Sequence, residues 1–527
     1  MSVSEQSGFA PLKQKLFLVL WIATVLGNVG SFIRDVASGW LITDLSASPA
    51  AVSLIQAATT LPIFLLAIPA GVMADILDRR KFLIGIQFIL AFSSASLMFL
   101  SATGLQSVTT LVLFTFIGGV GAALMAPTWQ AIVPELVSRA DLKNAVALNS
   151  LGINISRAIG PAIGGLVLAQ LGASFAYGID VLSYAFVIAA LIWWKRAKKE
   201  TDELAENFTG AFRAGLRYAR SSKALHIILF RAIFFFLFAS AVWALLPLVA
   251  RQLLEGTAGF YGILLAAVGV GAIIGAVLLP RLRRRLNSDQ LLLGAAILSA
   301  IVMGFLALSP PKWTAIPALC LLGFAWITAL TTLNSVAQSI LPNWVRGRSL
   351  AIYLTVFNGA MTLGSLSWGA VAQYISLPST LVVAGVALVI ANALAYRKKL
   401  PQGEDDLNPS NHWEQPHTHS DVALDRSPVM IQVEYQINPE NQSAFLSKLH
   451  QLAEQRRKDG AYAWGVLEDV EKPNHFIEWF FVESWAEHLR QHHRVSQADA
   501  DLQAEVNAFH QGDKPKVKHF VGAQKIH

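Results

Sequence analysis

The chain has 527 residues, 54% hydrophobic and 14% charged. A soluble protein carries nearer a quarter charged residues, so this composition excludes an ordinary soluble enzyme or binding module. The single cysteine, Cys320, excludes an intrachain disulfide and a cysteine-based metal site. The net charge of +7 divides unevenly: residues 1–400 hold 29 Lys/Arg and 14 Asp/Glu, whereas residues 401–527 hold 12 and 20, with eleven of the twelve histidines. The positive charge sits in short turns between apolar runs, a membrane-topology pattern, so no nucleic-acid partner is expected.

In chain order, apolar runs of bilayer length predict twelve spans: 16–43, 50–77, 80–102, 108–134, 142–170, 174–195, 225–250, 257–281, 289–309, 313–340, 347–373 and 378–397. The first run is too long for a cleavable signal peptide and reads as a span. Lys13 and Lys15, Arg79 to Lys81, Arg139 and Lys143, Lys195 to Lys199, Arg281 to Arg285, Arg346 and Arg348, and Arg397 to Lys399 fall on one side, and the opposite turns hold almost no positive charge. The positive-inside rule then places both termini in the cytoplasm of a plasma (inner) membrane.

The tightest knot of charge is GVMADILDRRK, Gly71 to Lys81, between the second and third spans. It resembles the loop between helices 2 and 3 of major facilitator transporters: Gly71, Asp75, Arg79 and Arg80 match, while Ile76 and Asp78 replace the usual Arg and Gly. The two halves of the chain repeat. Gly275, Arg283 and Arg284 lie 204 positions after Gly71, Arg79 and Arg80, with Leu279 in place of Asp75, and PELVSRADL (Pro134 to Leu142) is echoed by PNWVRGRSL (Pro342 to Leu350). The resemblance implies an all-α polytopic membrane protein in residues 1–399, twelve helices in two six-helix repeats (16–195 and 225–397) with a cytoplasmic link at 196–224. The link reads as amphipathic, with Phe208, Phe212, Leu216 and Ala219 at helical spacing beside Arg213, Arg217 and Arg220.

Residues 400–427, with Pro401, Pro409, Pro416, His412, His417 and His419, read as a disordered linker. Beyond it, VMIQVEYQI alternates as a strand, Pro439 to Arg457 has helical periodicity, and YAWGVLEDV and HFIEWFFVE are strands joined by Lys472-Pro473-Asn474. Trp485 to His510 is mostly helical and Lys516 to Ala523 is a last strand. The order βαββαβ is that of an α+β ferredoxin-like domain at 428–525. This order and ESWAEHLRQHH resemble antibiotic-biosynthesis-monooxygenase-type domains, which implies a dimeric α+β barrel and hence a homodimer through the tail. His488 and His492, four apart on a helix, have a spacing that could hold a metal, but no supporting ligands accompany them, and no metal or cofactor is expected.

Four groups of residues are candidates for function. Asp75 and Asp78 with Arg79 and Arg80, and Arg283 and Arg284 in the repeat, form a conformational latch or else only set topology. SRAIGPAIGG in span five resembles the superfamily's antiporter motif at Gly160, Pro161, Gly164 and Gly165, which implies export; its small residues allow close helix approach in any case. Ionisable and polar residues inside spans, namely Asn28, Arg34, Asp35, Asn154, Arg157 and Asp180, are costly in lipid and are expected to face the bundle interior as a substrate and proton pathway, or to be structural pairs. Arg231, Trp243, Trp326, Asn334, Gln338 and Asn358 are the second half's polar and aromatic candidates. Between residues 225 and 400 the only carboxylates are Glu255 and Asp289, so a titrating group in the membrane must belong to the first half, Asp35 first and Asp180 second.

LPIFLLAIPAGVMADILDRRK, PELVSRADLKNAVALNS and GPAIGG together resemble the major facilitator branch that contains the enterobactin exporter and the transmembrane secretion effectors. This implies a proton-driven exporter of siderophores or drug-like small molecules by alternating access. The sequence contains no Gly-rich ATP-binding loop. A membrane-delivered enzyme with a monooxygenase-like tail acting on an aromatic substrate is the alternative.

Overall fold

A computed structural model describes residues 9–138, 141–195, 208–342, 344–402, 407, 410, 413 and 422–523; the side chains of Val72, Asp75, Ile76, residues 208–212, Ala214 and His493 lie outside that description. The chain divides into two compact units, one of Met1–Asp202, Ile228–Ser335 and Ala351–Leu400, the other of Glu203–Ile227, Val336–Leu350 and Pro401–His527.

Twelve helices among the described residues are long and apolar enough to cross a membrane. In the first half they are α1 (Lys15–Leu45), α2 (Pro49–Ile76), α3 (Arg79–Ala102), α4 (Val108–Leu136), α5 (Leu142–Leu171) and α6 (Ala173–Trp193). A short helix α7 (Phe208–Ser221) precedes α8 (Lys223–Leu248), α9 (Ala258–Leu282), α10 (Ser288–Ala307), α11 (Ala315–Ser339), α12 (Arg346–Ile375) and α13 (Leu377–Ala395). Side-chain caps define several starts and keep the turns short, so that consecutive helices run antiparallel. Ser48 begins α2, Ser107 and Thr110 form a reciprocal box at α4, and Asn287 and Gln290 do the same at α10. Asp78 caps α3 by accepting from the Lys81 backbone N–H, which gives this carboxylate a local structural partner.

In the first half α1 packs on α5 and α6, α2 on α4, and α3 on α4 and α6; α5 crosses to α9 of the second half. The buried Arg231 of α8 does not reach a central cavity. It pairs with Asp289 at 3.2 Å and donates to the Ala395 carbonyl at 2.8 Å, while Asp289 accepts from the Leu400 N–H. Asp289 is thus in the first turn of α10, and the pair ties the starts of α8 and α10 to the end of α13, leaving neither charge alone in lipid.

In the second unit β1 (Val429–Gln436), α14 (Gln442–Lys458), β2 (Ala463–Glu468), β3 (His475–Val482), α15 (Trp485–Arg494), α16 (Gln497–Asn507) and β4 (Lys516–Val521) form an antiparallel sheet in the order β2-β3-β1-β4. The stretch after Trp485, expected to be mostly helical, is two helices, because Ser496 starts a new capping box with Asp499. Alternation puts Ile431, Val433, Tyr435, Phe476 and Phe480 on the core face with Phe445 and Leu449 of α14. Glu478 is buried on that face yet satisfied, accepting from Tyr435 Oη (3.2 Å), Trp464 Nε1 (2.9 Å) and Arg456 Nε (3.3 Å), as a buried carboxylate requires.

Within the 400–427 stretch the described residues bond to the tail: the Ser410 N–H donates to Val495 O at 2.9 Å and Trp413 Nε1 to Gln503 Oε1 at 3.0 Å. Most of that stretch, including its prolines at 409 and 416 and its three histidines, lies outside the described residues, as does 196–207 of the link. Helix α7 docks on the tail through Arg217–Glu483 (2.8 Å), and Lys223, the first residue of α8, pairs with Glu454 at 2.6 Å. The turn before α12 joins the same unit. There Tyr218 Oη donates to Ile340 O at 3.2 Å. Arg494 stacks 4.4 Å from the Trp344 ring, a cation–π contact.

Candidate substrate and ion pathway

A cavity of about 380 Å³ lies between the two six-helix halves. Its first-half wall includes Asp35, Gln56, Thr59 and Arg157; its second-half wall includes Trp243, Tyr261, Trp326, Phe357 and Asn358. The aromatic wall is braced from behind. Trp326 lies 5.0 Å from the Trp243 ring and 5.3 Å from Phe236. Both contacts are edge-on, the arrangement that ring quadrupoles favour.

Asp35 is 49% exposed and sits beside Arg34, whose Nη2 is 3.0 Å from Asp35 Oδ1. The same guanidinium points its Nη1 to Asp180 at 3.5 Å and donates to Tyr184 Oη at 2.9 Å. Asp180 is fully buried in α6 and accepts from Ser94 Oγ at 2.6 Å. One arginine is therefore shared by a carboxylate open to the cavity and a carboxylate sealed from it. Glycine makes the arrangement possible, because a Cβ at Gly30 would fall 3.0 Å from Asp180 Oδ1 and 2.8 Å from Ser183 Cβ.

The structure does not bring all the expected pathway residues to the cavity. Asn154 turns back to donate to Ser150 O, and Asn28, Asn334, Gln338 and Arg231 are not among the lining side chains. Trp243, Trp326 and Asn358 are.

The glycines of span five serve two crossings. A Cβ at Gly160 would lie 2.6 Å from Phe32 Cβ and one at Gly164 3.0 Å from Ile33 Cα, both on α1. Gly165 instead meets α9, where its Cβ would lie 2.8 Å from Gly262 Cα. Further contacts across the halves cluster towards that end of the bundle. Arg251, in a π-helical turn ending α8, pairs with Asp44. Ser48 Oγ donates to Gln373 Oε1 at 2.8 Å. Thr60 and Thr362 share a 2.7 Å hydrogen bond.

A family described as "transmembrane secretion effector" matches residues 6–526, nearly the whole chain. The chain belongs to that family of major facilitator transporters. The transporter is 23% identical over 399 residues to the staphyloferrin A transporter of Staphylococcus aureus, covering 73% of this chain and 96% of that protein. It is 24% identical to the multidrug efflux pump Tap of Mycolicibacterium fortuitum (72% and 94% covered) and 26% identical to the enterobactin exporter EntS of Salmonella choleraesuis (62% and 78%). The first two alignments take in almost all of those relatives but leave about a quarter of this transporter unmatched, a length like that of its tail. Among solved structures, a D-xylose-proton symporter superposes with a TM-score of 0.59 at 16% identity, covering 73% of this chain and 98% of its own. A bacterial homologue of the human lysosomal transporter Spinster gives 0.57 at 17% identity, with 74% and 98% covered. These likenesses show the fold. The transporter is thus a twelve-span integral membrane protein, and its family is one of carriers rather than enzymes.

At the opposite end of the bundle, Arg79 donates to Glu135 at 2.8 Å and to the carbonyls of Ala74 and Ala131. The Asp75 side chain lies outside the described residues, so its expected pairing with these arginines is not described. The sequence reading passes over Glu135 although it stands in the repeated PELVSRADL; its signal is that the repeat has Asn343 at the matching place. Arg80 donates to the carbonyls of Leu191 and Ile192 and so caps the end of α6. In the repeat, Arg283 donates to Thr331 O, and Arg284 is exposed.

In the tail, His488 and His492 face each other with Nε2 atoms 3.3 Å apart. Among the described residues no group of three or more His, Cys, Asp or Glu is arranged to hold a metal.

Proposed function

We propose that this carrier exports an amphipathic small molecule, of the siderophore or drug-like kind, in exchange for protons, across a plasma (inner) membrane with both termini in the cytoplasm. One observation carries the reading: the cavity-facing Asp35 is linked through Arg34 to the buried Asp180. A proton arriving on Asp35 cancels its hold on Arg34, and the guanidinium then rests on Asp180 alone. Loss of the proton restores the bridge. The two-site exchange gives the first half two electrostatic states, each suited to a different tilt of the halves about the cavity, which is the requirement for alternating access. The tight α5–α9 crossing at Gly165, the antiporter-type motif, supports export, and the names of the relatives support small molecules of these two classes.

The latch of this reading is Arg79 with Glu135, and with Asp75 as the sequence suggests; its opening accompanies the change of tilt. The tail adds a homodimer contact. The open face of its sheet carries Leu467 and Phe520, both well exposed, with Trp479, Phe481 and Met430 between them.

The experiment is proton movement in proteoliposomes carrying a pH-sensitive dye, with a panel of siderophores and lipophilic cations, for wild type, Asp35→Asn and Asp180→Asn. Substrate-driven proton movement that disappears in Asp35→Asn is expected. Movement that persists in Asp35→Asn and disappears only in Asp180→Asn moves the carrier role inward, and none with any compound in folded wild type defeats proton-coupled export.

A further inference from the structure

Arginines inside the spans differ in one respect. Arg34 is held by Asp35 and Asp180, Arg231 by Asp289 and Arg251 by Asp44. Arg157 lines the cavity, yet among the described residues no carboxylate oxygen lies within 4 Å of it and no side chain or carbonyl accepts from it. Its backbone is not free to swing away. A Cβ at Gly269 of α9 would fall 3.0 Å from both Arg157 O and Ala158 Cα, so α5 is pressed onto α9 at this residue. A second donor on the facing wall is also without an acceptor among the described residues: Trp243 Nε1 is buried and unbonded, and indole nitrogen can only donate. A guanidinium in a low-dielectric cavity needs a counter-charge. The one carboxylate among the lining residues, Asp35, is already engaged by Arg34.

Resting on the reading of this cavity as the substrate site, we infer that the substrate is an anion: a flat, largely aromatic body bearing a carboxylate-type oxyanion. Arg157 is its counter-ion, and the Trp243–Trp326 wall packs its rings. A planar guanidinium matches a planar oxyanion through two parallel N–H donors, which a lysine cannot reproduce in geometry although it keeps the charge. The cavity's size suits one such molecule, and the neutral Gln56, Thr59 and Asn358 supply hydrogen bonds without opposing charge. A lipophilic cation would instead meet an uncompensated positive charge.

The test is isothermal titration calorimetry of the full-length carrier in neutral detergent with three probes of one shape: 2-naphthoate, 2-naphthamide and 2-naphthyltrimethylammonium. Wild type is expected to bind the anion about tenfold or more tightly than the amide, the size of a charge-assisted hydrogen bond, and the cation most weakly. Arg157→Gln removes the anion's lead, whereas Arg157→Lys, which keeps the charge and guards against a folding defect, retains part of it. Binding that favours the cation, or a lead for the anion that survives in Arg157→Gln, overturns the inference. Binding of all three probes with no charge preference overturns it while leaving the cavity as the substrate site. Failure of folded wild type to bind any of them overturns both.

Discussion

The two six-helix halves share a fold and differ in chemistry. In the first, the cavity wall and its support hold Arg34, Asp35, Arg157 and Asp180; in the second, the wall is Trp243, Tyr261, Trp326 and Phe357, and the buried acid–base pair Arg231–Asp289 sits at the ends of α8, α10 and α13. The same division holds at the repeated loops. Arg79 has a carboxylate partner in Glu135, whereas Arg283 meets a backbone carbonyl and the repeat has Asn343 where the first half has Glu135. The scaffold occurs twice, and the charged side chains that line the cavity, Asp35 and Arg157, lie in one copy. The lesson is that symmetric architecture does not imply symmetric chemistry: the ionisable groups at the cavity belong to one half and most of its aromatic wall to the other.

The largest expected effect breaks that comparison outright. Asp35→Asn in the first half should abolish substrate-driven proton movement, whereas Trp326→Ala in the second should weaken substrate binding by roughly tenfold and leave proton movement per substrate unchanged. Measuring flux and binding in parallel separates the two; loss of coupling in Trp326→Ala would mean the halves are not divided this way. The direction of charge movement sharpens the point. An outward anion and an inward proton both run with an inside-negative potential, each gaining about 2.3 kcal/mol per 100 mV. A potassium-diffusion potential of that sign should therefore accelerate export.

Next in size is the seam between the halves. A side chain at Gly165 must push α9 away, since even a Cβ falls 2.8 Å from Gly262 Cα. Gly165→Val should cost about 1–3 kcal/mol in the conformation closed at this end, as overpacking does. Cross-linking of cysteines introduced at Ser48 and Gln373 would read the loss of closure; undiminished cross-linking would show that the crossing tolerates a wider gap.

Much of this was readable in the residues because lipid enforces simple rules. Twelve apolar runs gave twelve helices, and Asp35 and Arg157 stood out since a charge inside a span must have a reason. What the sequence concealed were partners brought together by packing. Glu135 sits at a span end, where a carboxylate is ordinary, 56 positions from Arg79. Arg231 reads like a cavity residue until α10 and α13 close on it, and Asn154 shares a helical face with Arg157 but satisfies itself on Ser150 O. The docking of α7 on the tail was hidden for the same reason, with Arg217 and Glu483 lying 266 positions apart.

A smaller effect tests the loop asymmetry. Glu135→Gln leaves the partly buried Arg79 with a neutral acceptor in place of a carboxylate. The change should cost about 1–2 kcal/mol in the conformation that holds this pair, the difference between a charged and a neutral partner. Arg283→Gln loses a single bond to Thr331 O and should shift the equilibrium less. Accessibility of single cysteines in the loop at this end measures both, and equal shifts would argue that the repeated loops act alike.

The smallest expected effect on transport lies in the tail, where two buried groups titrate in opposite senses. Burial, with the nearby Asp499, pushes the Asp459 carboxyl up to about 8, and burial among His519 and His492 pushes His488 down to about 3. Unfolded, they return towards about 3.9 and 6.5. For Asp459 the folded form binds the proton more tightly. Its contribution to stability is full below about pH 4 and is lost as pH rises towards 8. For His488 the folded form prefers the neutral ring; its contribution is present above about pH 6.5 and is lost as pH falls towards 3. The two slopes cancel between about pH 4 and about pH 6.5, so the tail should be most stable in that mildly acidic range and lose stability on either side of it. Asp459→Asn should flatten the loss on the alkaline side while leaving the acid side unchanged. Hydrogen exchange of the β1 and β3 amides in the full-length carrier, compared between variant and wild type at each pH so that intrinsic rates cancel, reads the difference. A variant that loses protection with rising pH as steeply as wild type would show that Asp459 is ionised in the fold and that its neighbours Arg456 and Arg494 outweigh its burial.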